Sequence, residues 1–249
     1  MKTTLLFAAL TLSPLLGTTT TSIAQDTTAA SSQATLSPHD AVKPVPRDSG
    51  WMKRHESMNA RVAQGNVDLV FIGDSITQGW EGAGKEAWQE FYGERNAVNL
   101  GIGGDRTQHV IWRLDNGNLE GITPKLAVIM IGTNNSNSNK PHEIADGIEV
   151  ILEQLKSKTP ETKVLLLGIF PRGATRDVPQ RIVNRETNEL IAKFADGQRV
   201  HFLDIGNKFL EDDGTLSKEI MPDLLHLNQK SYRIWAESIE PKVAELLAD

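Results

Sequence analysis

The sequence predicts an α/β fold, a five-stranded parallel sheet covered by helices on both faces. Three observations carry that expectation. The Val/Ile/Leu-rich runs are continuous rather than alternating, as strands buried on both faces require. Stretches with apolar residues three and four apart separate them, so strand and helix alternate along the chain. The first three runs each break at a Gly- or Asn-containing turn, the position where open α/β sheets present ligand-handling groups.

Taken in order, Trp51, His55, Met58 and Val62 fall on one helical face that Gly65 ends, so the domain is expected over 49–249. Residues 69–72 form the first strand, and a helix covers 87–92. Residues 97–100 are the second strand, followed by a helix through Val110, Ile111 and Leu114. Residues 126–131 are the third, followed by a long amphipathic helix through Ile144, Ile148, Ile151 and Leu155. A fourth strand over 164–169 precedes a helix over 182–194, and a fifth over 200–203 precedes a closing helix over 232–247. No internal repeat is visible.

The 249 residues suffice for one domain with a full core, and 39% hydrophobic with 23% charged residues is the balance of a soluble globular protein. A net charge of −6 leaves no basic footprint for nucleic acid. Met1-Lys2, an apolar run over 5–16 and the small residues of Ser22-Ile23-Ala24 read as a secretory signal over 1–24, cleaved after Ala24. That run is too short for stable insertion in a membrane. The expected location is therefore secreted or periplasmic. Residues 25–48, rich in Thr, Ser, Ala and Pro, read as a flexible leader. With no cysteine, the fold has no disulfide to rest on.

Four stretches carry chemistry. Gly73-Asp74-Ser75 follows the first strand, which places the Ser75 hydroxyl at the carboxyl edge of the sheet with a helix starting beside it. N–H groups at a helix start are unpaired and partly positive, and they suit a developing oxyanion. Gly101-Ile102-Gly103-Gly104 follows the second strand and reads as a backbone donor site or a tight turn. It is not a dinucleotide fingerprint, since Arg106 stands at the third glycine, and Gly79 to Glu86 fails as a phosphate loop. Gly132-Thr133-Asn134-Asn135 follows the third strand, and Asn134 either aims its amide at the same edge or caps a turn. Asp223 precedes His226 by three residues, so one turn presents both, the way an orienting carboxylate holds an imidazole that accepts a serine proton. His39, His55, His109, His142 and His201 lack such an arrangement and read as structural or solvated. The G-x-S-x-G elbow of α/β-hydrolases is absent, because Thr77 occupies its second glycine.

Together, these stretches resemble the SGNH (GDSL-type) hydrolase family, most closely the platelet-activating-factor acetylhydrolase catalytic-subunit branch and its bacterial relatives. The resemblance rests on the block from Asn99 to Asp105, on Thr107 to Leu114, on Gly132 to Asn135, on Phe170-Pro171-Arg172-Gly173 and on Asp223 to Tyr232. It implies a flavodoxin-like three-layer α/β/α sandwich. It also implies Ser75 as nucleophile, His226 as base, Asp223 as its orienting group, and Ser75, Gly104 and Asn134 as oxyanion donors. Ser231 departs from the glycine that relatives carry before the tyrosine, and Thr77 to Trp80 departs from the animal subunits beside the nucleophile. The expected function is a secreted serine esterase, needing no metal or organic cofactor, that removes short acyl groups, above all acetyl, from small-molecule or glycan esters. Trp80 and Trp88, just after the nucleophile, either line the site and stack on a sugar ring or belong to the core. A lysophospholipase- or thioesterase-like lipid acyl hydrolase and a non-catalytic glycan-binding module are the alternatives.

Overall fold

The structure, a computed structural model, describes residues 39–248. The signal over 1–24 and most of the expected leader lie outside the described residues. Five parallel strands, β1 (Leu69–Gly73), β2 (Ala97–Gly101), β3 (Leu126–Met130), β4 (Lys163–Leu167) and β5 (Val200–Leu203), form one sheet in the order β2-β1-β3-β4-β5. The register sets Gly73 beside Gly101 on one side and beside Met130 on the other. The chain reverses direction across the sheet between β2 and β3. The carboxyl ends of β1, β2 and β3 therefore flank a topological switch point, where such sheets bind ligands.

Every residue of β1 and β3 is buried, as their unbroken apolar sequence requires. Against one face pack α1 (Ser49–Val62), α4 (Thr107–Asp115), α5 (Pro141–Lys158) and α6 (Pro179–Ile191), with Val70, Ile72, Ile129 and Leu166 from the sheet beneath them. Against the other pack α2 (Ser75–Gln78), α3 (Lys85–Tyr92) and α7 (Gln229–Ala248), over Leu69, Phe71, Val128 and Leu165. This is the three-layer α/β/α sandwich expected from the sequence.

Two local differences from the sequence reading have clear causes. The fourth strand stops at Leu167 rather than running to 169, because Asn188 of α6 takes over the pairing: its amide accepts from Ile169 N and donates to Ile169 O. The leader reading is corrected over 39–48, where the chain is bound to the domain. His39 meets Asp146, Asp40 accepts from Asn139, buried Ala41 accepts from Thr107 Oγ1, and Asp48 caps α1 through Gly50 N and Trp51 N. Asp146, Asn139 and Thr107 lie far along the chain from 39–41, so composition could not reveal this docking.

On the α7 face, Trp80 lies 4.7 Å from both Tyr232 and Trp235 between ring centroids, and Phe71 and Tyr92 complete a buried aromatic cluster. The Tyr232 hydroxyl donates to Ile76 O at 2.7 Å. That bond ties the start of α7 to α2, the short helix that opens at Ser75. Ser231 and Asn228 bond reciprocally, Asn228 N to Ser231 Oγ and Ser231 N to Asn228 Oδ1, and so fix how the chain enters α7. The departure at Ser231 is thus a built helix start.

Candidate active site

Ser75 is the first residue of α2, and Asp74 caps that helix by accepting from Ile76 N at 2.9 Å. From the turn ahead of α7, His226 Nε2 comes within 2.9 Å of Ser75 Oγ. On its other side, His226 Nδ1 lies 2.6 Å from Asp223 Oδ2. Asp223 also accepts from His226 N at 2.7 Å and from Leu225 N at 3.1 Å, so one carboxylate holds both ring and backbone of the turn. Leu224 in that turn adopts φ +60, and its carbonyl accepts from Gly173 N at 2.8 Å. A left-handed leucine is costly and persists only where its surroundings over-determine it.

Hydrogen bonding fixes the ionised form of Asp223 and the orientation of the imidazole. Partial burial pushes the Asp223 carboxyl up, but hydrogen bonds from the His226 ring and backbone outweigh it and hold Asp223 below its ordinary value. Ionised Asp223 accepts a hydrogen bond from Nδ1–H, which leaves the Nε2 lone pair facing Ser75 Oγ–H. Both side chains remain open to solvent, at 44% and 56% exposure.

Three donor groups follow the carboxyl ends of β1, β2 and β3. The Ser75 N–H belongs to the first turn of α2, where no intrahelical acceptor exists. Gly104 adopts φ +76, and its N–H meets no acceptor among the described residues. The neighbouring Gly103 N–H is taken by Gln78 Oε1 at 2.7 Å, which leaves Gly104, the donor that the resemblance implied, as the free N–H of the pair. Asn134 donates one amide hydrogen to Asp105 O at 2.8 Å and keeps the second for the site. Asn135 beside it is fully buried and bonds Thr107, Gln108 and Asn139 instead.

Sequence reading missed the frame behind these donors. Asp105 is buried, accepts from Trp51 Nε1 at 2.7 Å, and pairs with Arg113 Nε at 2.9 Å. Arg47 donates to Gly103 O at 2.7 Å and to Asp105 Oδ1 at 3.3 Å, and both its terminal nitrogens lie 3.1 Å from where a Cβ on Gly104 would be. Arg172 donates to Thr133 O at 3.1 Å, just before Asn134. Asp105 and Arg172 stand inside the blocks that carried the resemblance. Arg47 had no signal, because it sits in the Pro-rich stretch read as leader. Asp74 is fully buried with Oδ2 unpartnered, and burial, reinforced by the nearby Asp105 charge, raises it to about 7.

For Trp80 the core alternative holds. Its side chain is 1% exposed and faces the aromatic core, because the turn after α2 points it away from Ser75. Trp88 packs on the same cluster, 5.0 Å from Phe71 between ring centroids. The other histidines serve structure. His55 stacks on Trp51, His39 pairs with Asp146, and His109, lowered by burial to about 4, accepts from Arg106 N. Among the described residues no cluster of three His, Cys, Asp or Glu is placed to hold a metal ion.

The GDSL-like lipase/acylhydrolase family model matches residues 71–234, the stretch from β1 through the serine, the glycine turn and Asn134 to the Asp–His turn. The chain belongs to this family. The alpha1 subunit of human platelet-activating factor acetylhydrolase IB is 39% identical over 208 residues, covering 83% of this chain and 88% of that protein. Among solved structures, a carbohydrate acetylesterase from Sinorhizobium meliloti superposes with a TM-score of 0.56 at 21% identity, over 73% of this chain and all of that one. An acetylxylan esterase from Geobacillus stearothermophilus gives 0.58 at 17%, over 72% of this chain and 94% of that one. At those identities the two structures share the fold. The family makes this GDSL protein a carboxylic ester hydrolase of the SGNH type, acting on small-molecule esters.

Proposed function

We propose that the protein is a secreted serine esterase that deacetylates carbohydrates through an acyl-enzyme, with Ser75 as nucleophile, His226 as general base and Asp223 as its orienting group. The relay Ser75 Oγ–His226 Nε2 at 2.9 Å, continued from Nδ1 to Asp223 at 2.6 Å, carries this reading. His226 takes the Ser75 proton as Oγ attacks the ester carbonyl. The carbonyl oxygen becomes negative within reach of the Ser75 and Gly104 N–H groups and the Asn134 amide. His226 then returns the proton to the departing alcohol, and water repeats the sequence on the acyl group.

Acetyl is supported as the acyl group because the curated relative and both structural neighbours are named for removing it. Carbohydrate is favoured over lipid by the surface. Among the described residues Val45 is the one large hydrophobic side chain that is exposed, which leaves no apolar face to seat on a lipid layer. The half-open histidine and aspartate also leave room for a bulky alcohol. Export rests on the first 24 residues of the sequence.

A chain-length series of aryl esters, run beside acetylated sugars and a lysophospholipid, tests the substrate class. The expected kcat/KM is highest for acetyl and falls steeply by butyryl, with acetylated sugars turned over. A maximum at long chains or efficient lysophospholipid hydrolysis would replace this reading with a lipid acyl hydrolase.

A further inference from the structure

A cavity of about 400 Å³ opens at the carboxyl edge of β4 and β5, beside the catalytic edge of the sheet. One wall is α6 and the turn ahead of it, which bring Arg176, Arg181 and Arg185 to the cavity, while Asp204 from the segment after β5 is its one carboxylate. Among the lining residues three guanidinium groups stand against one carboxylate, with Glu186 3.7 Å from Arg185 at the rim. Asp204 is turned to Gly206 N at 2.8 Å and Asn188 Nδ2 at 3.4 Å rather than paired with an arginine.

Two polar groups at the floor are unmatched. Arg181 is 8% exposed; its Nη2 donates to Gly214 O at 2.8 Å, but its buried Nη1 has no partner. Asn184, one helical turn on, is 1% exposed; its Nδ2 is shared between Thr133 Oγ1 and Phe170 O, and its Oδ1 has no partner. A buried group left unpaired costs about 1–3 kcal/mol, and more when charged. Burial, and then the Arg176 charge, hold the Arg181 pKa below its ordinary value, the mark of a cation lacking an anion. One ligand satisfies both groups if it carries an anionic oxygen next to a hydroxyl. A uronic acid has that pairing, and Ile169 and Leu210 add the apolar wall that a sugar ring packs against.

The cavity adjoins the segment that carries the acyl site. Asn184 bonds the side chain of Thr133, Arg172 bonds its carbonyl, and the next residue is the proposed oxyanion donor Asn134.

We infer that this cavity is a substrate subsite for a carboxylate-bearing sugar, Arg181 with Arg176 and Arg185 taking the carboxylate and Asn184 and Asn188 the hydroxyls. This deepens, and rests on, the reading of the protein as a glycan deacetylase.

Calorimetric titration of the Ser75→Ala protein with glucuronate, and with glucose as neutral control, tests the cavity without turnover. Glucuronate is expected to bind at least about tenfold more tightly than glucose. Arg176→Gln and Arg185→Gln, both at exposed positions, are each expected to weaken it about tenfold, the usual loss of one charged hydrogen bond. In parallel, acetylated xylo-oligosaccharides with a glucuronic acid branch should exceed unbranched ones in kcat/KM, and the Arg176→Gln/Arg185→Gln protein should lose that preference. Equal turnover of both substrates with no glucuronate binding overturns the subsite while the glycan reading stands. Glucuronate binding lost in the arginine variants, with no acetylated glycan hydrolysed, supports the anion site and overturns its link to deacetylation.

Discussion

Adding one methyl group at Gly101 should silence the enzyme without touching any reacting atom. Gly101 ends β2 against the backbone of α2, and a Cβ there would lie 2.3 Å from Gln78 N and 2.7 Å from Thr77 C. Carbon contacts settle near 3.5–4.0 Å, so the helix must move by about 1 Å. It cannot move freely, because Tyr232 holds Ile76 O at 2.7 Å and Asn99 Nδ2 holds Thr77 O at 3.0 Å. Ser75 opens the same helix, so the shift passes to its hydroxyl and disturbs the 2.9 Å approach of His226. A misplacement of about 1 Å costs on the order of 100-fold in rate. Overpacking costs a further 1–3 kcal/mol or so of stability, roughly 2–12 °C in Tm for a chain of this size. The assay is kcat/KM on an aryl acetate beside a melting curve for Gly101→Ala. A folded variant with activity within about threefold of the parent would refute the claim that this contact sets the position of Ser75.

Asn134→Ala should lower kcat by roughly 100- to 1,000-fold with little change in KM, the loss of one side-chain donor to the oxyanion; an equal loss in KM would make Asn134 a substrate-positioning group. Arg47→Ala removes the 2.7 Å bond to Gly103 O and should cut kcat by about ten- to hundredfold, with partial rescue by free guanidinium; unchanged kcat would show the turn holds without it. Asp74, raised from 3.8 to about 7, binds its proton more tightly folded than unfolded. Its contribution is therefore full below the ordinary carboxylate range and lost as pH climbs to 7, by up to roughly 4 kcal/mol. Denaturant unfolding of Asp74→Asn should show the variant gaining on the parent across that interval; parallel pH curves would contradict it.

The sheet was legible because strands buried on both faces need unbroken apolar runs, and the first three runs also ended in the turns that build the site. Ser75, Asp223 and His226 were legible for a related reason: a strand-end serine and a carboxylate three residues from an imidazole are local patterns. What is not local stayed hidden. The Gly103 N–H is withheld from the site because Gln78 reaches across from α2, a contact no local pattern shows. Arg47 was invisible, since a stretch of Pro and Thr/Ser composition says nothing about where one guanidinium docks. The place of Trp80 stayed open because nearness to Ser75 along the chain does not fix direction, and the turn after α2 swings it into the core.

The most direct test of the account is peptide mapping by mass spectrometry after rapid acid quench during turnover of an aryl acetate. The account expects an acetyl group on Ser75, absent in Ser75→Ala and formed far more slowly in His226→Ala, with both variants folded and nearly inactive. Continued turnover by Ser75→Ala, or an acetyl group mapped to another residue, would contradict it.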